Sequence, residues 1–136
     1  MNTMQFAIVG FYIGLNALIL LWLTMGTIRL RGKYKISIGD GDNKHMFRIM
    51  RGHSNAIENM GAVLMLMLVM AALGTPSIVL HGIGIVFTFA RLIHAWHFIQ
   101  EDAARWQRFY GTLLTLIVTL VLALGVIGHS IIIMMG

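Results

Sequence analysis

The chain contains no cysteine. It therefore has no disulfide and no thiol nucleophile of its own. Any sulfur chemistry it performs must arrive with a substrate. Proline occurs once, at Pro76. Charge is scarce too: 11% of residues are charged, and only 5 are acidic. A soluble domain carries about 25% charged residues, so this composition argues against one. No basic residue stands between Met1 and Phe6, and the apolar run that follows is long. A cleavable signal peptide is therefore not expected.

Apolar residues make up 58% of the chain, with 15 glycines. Both figures suit a helical membrane protein, in which glycine lets helices approach closely. At 136 residues one domain is expected, spanning 1–136. The net charge of +5 does not point to nucleic acid, because the cations sit in loops beside apolar runs.

The first run, Phe6 to Ile28, has Asn16 as its only strongly polar interior residue. It exceeds the roughly 20 residues a helix needs to cross a bilayer. Helices are expected over about 4–28, 44–73, 78–100 and 104–134. Gly39-Asp40-Gly41-Asp42 reads as a turn without the remaining ligands of a calcium loop. Ser77 or Thr75 is expected to cap the third helix, and Glu101 and Asp102 to favour the start of the fourth. The fold class is all-α, an integral membrane four-helix bundle.

With four spans, every lysine and arginine falls on one side of the membrane. The positive-inside rule puts that side in the cytoplasm and both termini outside, as in a bacterial inner membrane. Tyr34, Trp96, Trp106 and Tyr110 gather at the charged side as an interfacial belt.

The stretch from Arg48 to Glu58 directly precedes the apolar run Met60 to Leu73. At about 100° per residue, its Arg48, Arg51, Asn55 and Glu58 share an arc of roughly 80°. A carboxylate so close to hydrocarbon is rarely left unpaired, although an interhelical salt-bridge seam would also account for the pattern. On the third helix Arg91, His94, Phe98 and Glu101 share a face. Arg91 lies deep enough to need a partner, and Glu58 is the obvious candidate. On the fourth helix Arg105, Arg108, Thr112, Thr115 and Thr119 form one stripe, the threonines reading as packing residues.

Arg29 closes the first helix at the same depth as Arg48, Arg51, Arg91, Arg105 and Arg108. Glu58, Glu101 and Asp102 cannot balance them all. An anionic ligand with several acceptors is the expected complement, and anionic lipid headgroups compete for that role. His81 and His129 lie too near their helix ends for haem ligation with His53 and His94. His45 and His97 read as interfacial residues.

The spaced set Arg48, Arg51, Asn55 and Glu58 resembles the second-helix signature of the MAPEG family, the membrane-associated proteins in eicosanoid and glutathione metabolism. Arg29-Leu30-Arg31, Arg91-Leu-Ile-His94 and the loop from Tyr34 to Gly41 fit the same resemblance, closest to its small bacterial members. The resemblance covers essentially the whole chain and implies a homotrimer with glutathione held between neighbouring subunits. It implies that Arg51, Asn55 and Glu58 hold the peptide, with Glu58 at its amine, and that Arg29, Arg48, Arg91, His94 and Phe98 line the same site. Arg105 or Arg108 would stabilise the glutathione thiolate. Departures are Ser54, where the prostaglandin synthases have arginine, Phe98 where many members have tyrosine, and Phe109 where some have serine.

The expected activity is that of a membrane-bound glutathione transferase or peroxidase acting on a lipophilic electrophile or hydroperoxide. The competing expectation is a non-enzymatic membrane protein whose arginines bind anionic lipid headgroups. A four-helix multidrug exporter would need a carboxylate in the first helix, and Phe6 to Ile28 has none.

Overall fold

The computed structural model describes residues 3–136. Met1 and Asn2, and with them the expected side of the extreme N-terminus, lie outside the described residues. Four helices follow one another: α1 (Thr3–Tyr34), α2 (Lys44–Ala72), α3 (Ser77–Ile99) and α4 (Arg105–Met135). All four are long and apolar enough to cross a membrane. Even α3, with 23 residues, extends about 35 Å at 1.5 Å per residue, more than a bilayer core needs.

The short connections make neighbours antiparallel. The end of α1, the start of α2, the end of α3 and the start of α4 therefore meet at one end of the bundle. That brings the arginine-bearing segments of all four helices to one end of the bundle. α1 packs on α2 and α3; α4 packs on α3 and α2; the backbones of α1 and α4 do not approach closely among the described residues. Apolar side chains fill the centre, with Val9, Leu23, Val63, Met67, Leu80, Phe87 and Leu122 sealed from solvent. Leu18, Met65, Phe89, Leu116 and Leu120 face outward, where lipid solvates them.

Helix boundaries correct the sequence reading in three places. α1 runs on past residue 28 to Tyr34. Gly32 costs a helix only about 1 kcal/mol, and the true stop is Lys35, at φ 55°. Arg31 secures that stop, donating from Nη1 to the carbonyls of Ser37 and Gly39, both at 3.2 Å. α3 has Pro76 at its cap with no side-chain capping bond, so neither Thr75 nor Ser77 caps it. Glu101 and Asp102 lie in the bend before α4, and its first turn holds no acid.

Polar groups stitch α1 to α3 through the apolar core. The Tyr12 hydroxyl meets His81 Nδ1 at 2.9 Å, and Asn16 Nδ2 donates to Thr88 Oγ1 at 2.9 Å. Gln5 donates to the Thr75 carbonyl. Asn16 is completely buried, and its Nδ2 donates to the Tyr12 carbonyl as well, at 2.9 Å. The Tyr12 ring lies directly over Gly84, where a Cβ would collide with it. Gly84→Ala is expected to destabilise the bundle by about 1–3 kcal/mol through overpacking. Gly82→Ala, which adds a Cβ into open space, serves as the control. Thermal unfolding in detergent reads the difference; equal midpoints for the two variants would contradict this packing.

Candidate functional site

At the arginine-rich end, the clefts are walled by α2, α3 and α4. Asn43 starts α2, its side chain accepting from the Met46 amide at 2.9 Å. From that start Arg48, Arg51 and Asn55 rise in successive turns toward α4. Gly52 leaves room for the Phe98 ring, which a Cβ there would strike. Phe98 in turn packs on His94, with ring centroids 4.9 Å apart. On α4, a Cβ at Gly111 would lie 2.9 Å from the Ala90 carbonyl oxygen. This glycine therefore lets α4 close on α3 beside His94.

The result is a cleft of about 330 Å³ lined by Phe47, Arg48, Arg51, Asn55, His94, Phe98, Arg108 and Thr112. No carboxylate lines it among the described residues. A larger hollow of about 860 Å³ adjoins it and shares Arg48, Arg108 and Thr112 with it. Arg105, His97 and Asp102 stand at the polar end of this hollow; Phe109, Leu113 and Leu116 form its apolar wall. The two arginines of the α4 start are thereby told apart. Arg108 faces both spaces, Arg105 only the larger.

Arg91 lies behind the smaller cleft rather than on its wall. It is 1% exposed. Its Nη2 donates to Asn55 Oδ1 and His94 Nδ1, both at 3.1 Å, and Nη1 reaches Thr115 Oγ1 at 3.5 Å. The expected partner Glu58 is not among these groups; Glu58 is exposed. Three residues along a helix turn the side chain back by about 60°, so Asn55 meets α3 while Glu58 points away from the bundle. Arg29 is exposed on α1 and lines neither cleft.

His97 also departs from the sequence reading. It is buried, not interfacial. Arg48 Nη2 donates to its carbonyl at 3.1 Å and to its Nε2 at 3.3 Å; its Nδ1 donates to the Ala104 carbonyl at 3.1 Å. One arginine thus ties α2 to α3, and one histidine ties α3 to the start of α4. His45 likewise bonds the Ile99 carbonyl at 3.0 Å. Phe47, Gly52 and Gly111 were not singled out from the sequence. Nothing in a single chain distinguishes them from ordinary apolar and packing positions. The threonine stripe divides: Thr115 and Thr119 donate to the carbonyls four residues back, and Thr112 lines both clefts.

Four lipid-length helices with an arginine-rich cleft at one end define an all-helical integral membrane protein. A sequence profile of the MAPEG family matches residues 9–128, and the chain belongs to that family. It is 34% identical over 97 residues to the inner membrane protein YecN of Escherichia coli strain K12, covering 71% of this chain and 73% of the relative. The YecN of Escherichia coli O6:H1 matches to the same extent. No solved structure matches the chain significantly.

Proposed function

We propose that this protein is a glutathione-dependent transferase or peroxidase of the inner membrane, acting on a lipophilic electrophile or hydroperoxide. The observation that carries this reading is the smaller cleft, where Arg48, Arg51 and Arg108 converge with Asn55 and His94 and no carboxylate competes. Glutathione carries two carboxylates, and arginine binds carboxylate in a bidentate way. In this reading Arg51 and Asn55 grip the peptide, Arg48 adds charge, and Phe98 and His94 form the floor. Glu58 receives the amine from the open side of the cleft. Arg108 faces the thiolate, since it alone of the α4 arginines borders both spaces. The lipophilic partner enters from the bilayer along Phe109, Leu113 and Leu116.

The exposed Glu58 and Arg51 on α2 also support a homotrimer. A charged helix face is costly against lipid, and a neighbouring subunit would cover it. Arg29 is then available to the site of another subunit. The charged end faces the cytoplasm in this arrangement.

A second reading, binding of anionic lipid headgroups, draws on the exposed Arg29, Lys33 and Lys35 at the same end. Calorimetry on the purified protein separates the two. Glutathione is expected to bind, and its S-methyl analogue more weakly, because the analogue has no thiolate to meet Arg108. No detectable glutathione binding would transfer the weight to the lipid reading.

A further inference from the structure

Arg91 is among the most deeply buried large side chains of the protein, yet all its partners are neutral. A guanidinium carries N–H donors and no acceptor. Any atom it bonds must therefore accept. That requirement settles the orientation of the Asn55 amide, whose Oδ1 is turned back to Arg91 and whose Nδ2 has no hydrogen-bond partner among the described residues. It also settles the His94 ring: Nδ1 accepts from Arg91, so in the neutral ring the proton resides on Nε2. Asn55 and His94 both line the smaller cleft.

We propose that Arg91 is a positioning residue that sets the hydrogen-bond polarity of this cleft. Held from behind, Asn55 and His94 present N–H donors and withdraw their acceptors. The charged groups of the wall, Arg48, Arg51 and Arg108, are donors as well. Apart from the Thr112 hydroxyl, which can donate or accept, the polar side chains of the cleft wall thereby offer donors to a ligand. A ligand carboxylate or amide carbonyl fits there, and a ligand ammonium does not. Resting on the glutathione reading, this places the acceptor-bearing part of the peptide in the cleft and its amine outside, toward Glu58. Arg91 acts through its neighbours and touches no ligand.

His97, three residues further on, supplies a built-in contrast. Its Nδ1 faces the Ala104 carbonyl at 3.1 Å, which can only accept, and its Nε2 faces the donor Arg48 Nη2 at 3.3 Å. His97 therefore carries its proton on Nδ1. Two histidines one turn apart are held in opposite tautomers, His94 by an arginine of its own helix and His97 by an arginine of α2.

Nitrogen-15 spectra of the full chain with labelled histidine, in detergent micelles at neutral pH, test the proposal without any ligand. The signals are assigned by their loss in His94→Gln and His97→Gln. The expected result is a single Nε2–H form for His94 and a single Nδ1–H form for His97. Arg91→Met is expected to release His94 into a mixture of both tautomers while His97 stays as it is. Arg91→Lys keeps a donor and is expected to retain the parent spectrum of His94. A proton on Nδ1 of His94 in the parent protein would overturn the proposal, as would an Arg91→Met spectrum identical to the parent. Should Arg91→Met fail to fold, the parent and Arg91→Lys spectra decide. Glutathione binding plays no part in this measurement, so the two readings fail separately.

Discussion

Arg108→Leu is expected to raise the pKa of bound glutathione and to slow conjugation at neutral pH by about tenfold or more. A guanidinium beside a thiol favours the thiolate, so the bound pKa lies below that of the free thiol while Arg108 is present. Removing the cation returns the pKa upward. A tenfold change in the thiolate fraction below the pKa corresponds to about 1.4 kcal/mol, well within what one close guanidinium supplies. The loss of rate should therefore shrink as pH rises past the new pKa. Arg105→Leu is expected to do much less, because Arg105 borders only the larger hollow. Thiolate absorbance near the ultraviolet edge, followed against pH in parent and variants, gives the bound pKa directly. If glutathione binds but neither variant moves the titration, arginine activation of the thiol is wrong.

Arg51→Leu is expected to weaken glutathione binding by about ten- to a hundredfold while leaving the pKa of whatever ligand still binds close to that of the parent. Arg51 lines the smaller cleft but not the larger one, so its loss removes carboxylate contacts rather than the group assigned to sulfur. A hydrogen bond to a charged group is worth about 1.5–3 kcal/mol, which gives the stated range. The side chain is exposed in the single subunit, so its loss should leave the fold intact. Calorimetry and thermal unfolding together check both halves. A large fall in stability, or a rise in pKa as big as that of Arg108→Leu, would show that the two arginines do not divide the work as proposed.

The site was partly legible in the chain. Arg48, Arg51 and Asn55 stand at helical spacing before an apolar run, and the structure does bring them to one wall with His94, Phe98 and Arg108. The expected pairing of Arg91 with Glu58 failed. Depth along a helix follows from counting residues, and both side chains do lie near the charged end. Direction around the helix is another matter. The arc shared by Arg48, Arg51, Asn55 and Glu58 is wide enough for one edge to meet α3 and the other to leave the bundle. Only the buried stripe of α2, through Ile49, Gly52, Ala56, Met60 and Val63, shows which edge is which. His97 illustrates the same limit. Its sequence position at a helix end suggested an interface, and the Ala104 carbonyl and Arg48 enclose it instead.

What the sequence by itself determined was the number of spans, their order and the end that carries the charge. Those properties need no partner. A bilayer acts on each apolar run separately, and hydropathy sums along the chain. The tertiary structure alone decided which polar groups meet. It turned Arg91 to Asn55 and His94, placed Arg108 but not Arg105 on the smaller cleft, and left Arg29 and Glu58 outside it. Those choices depend on how three helices are rotated against one another. Close approach at Gly52 and Gly111 sets that rotation, because each glycine admits a neighbour on α3 that a Cβ would turn away.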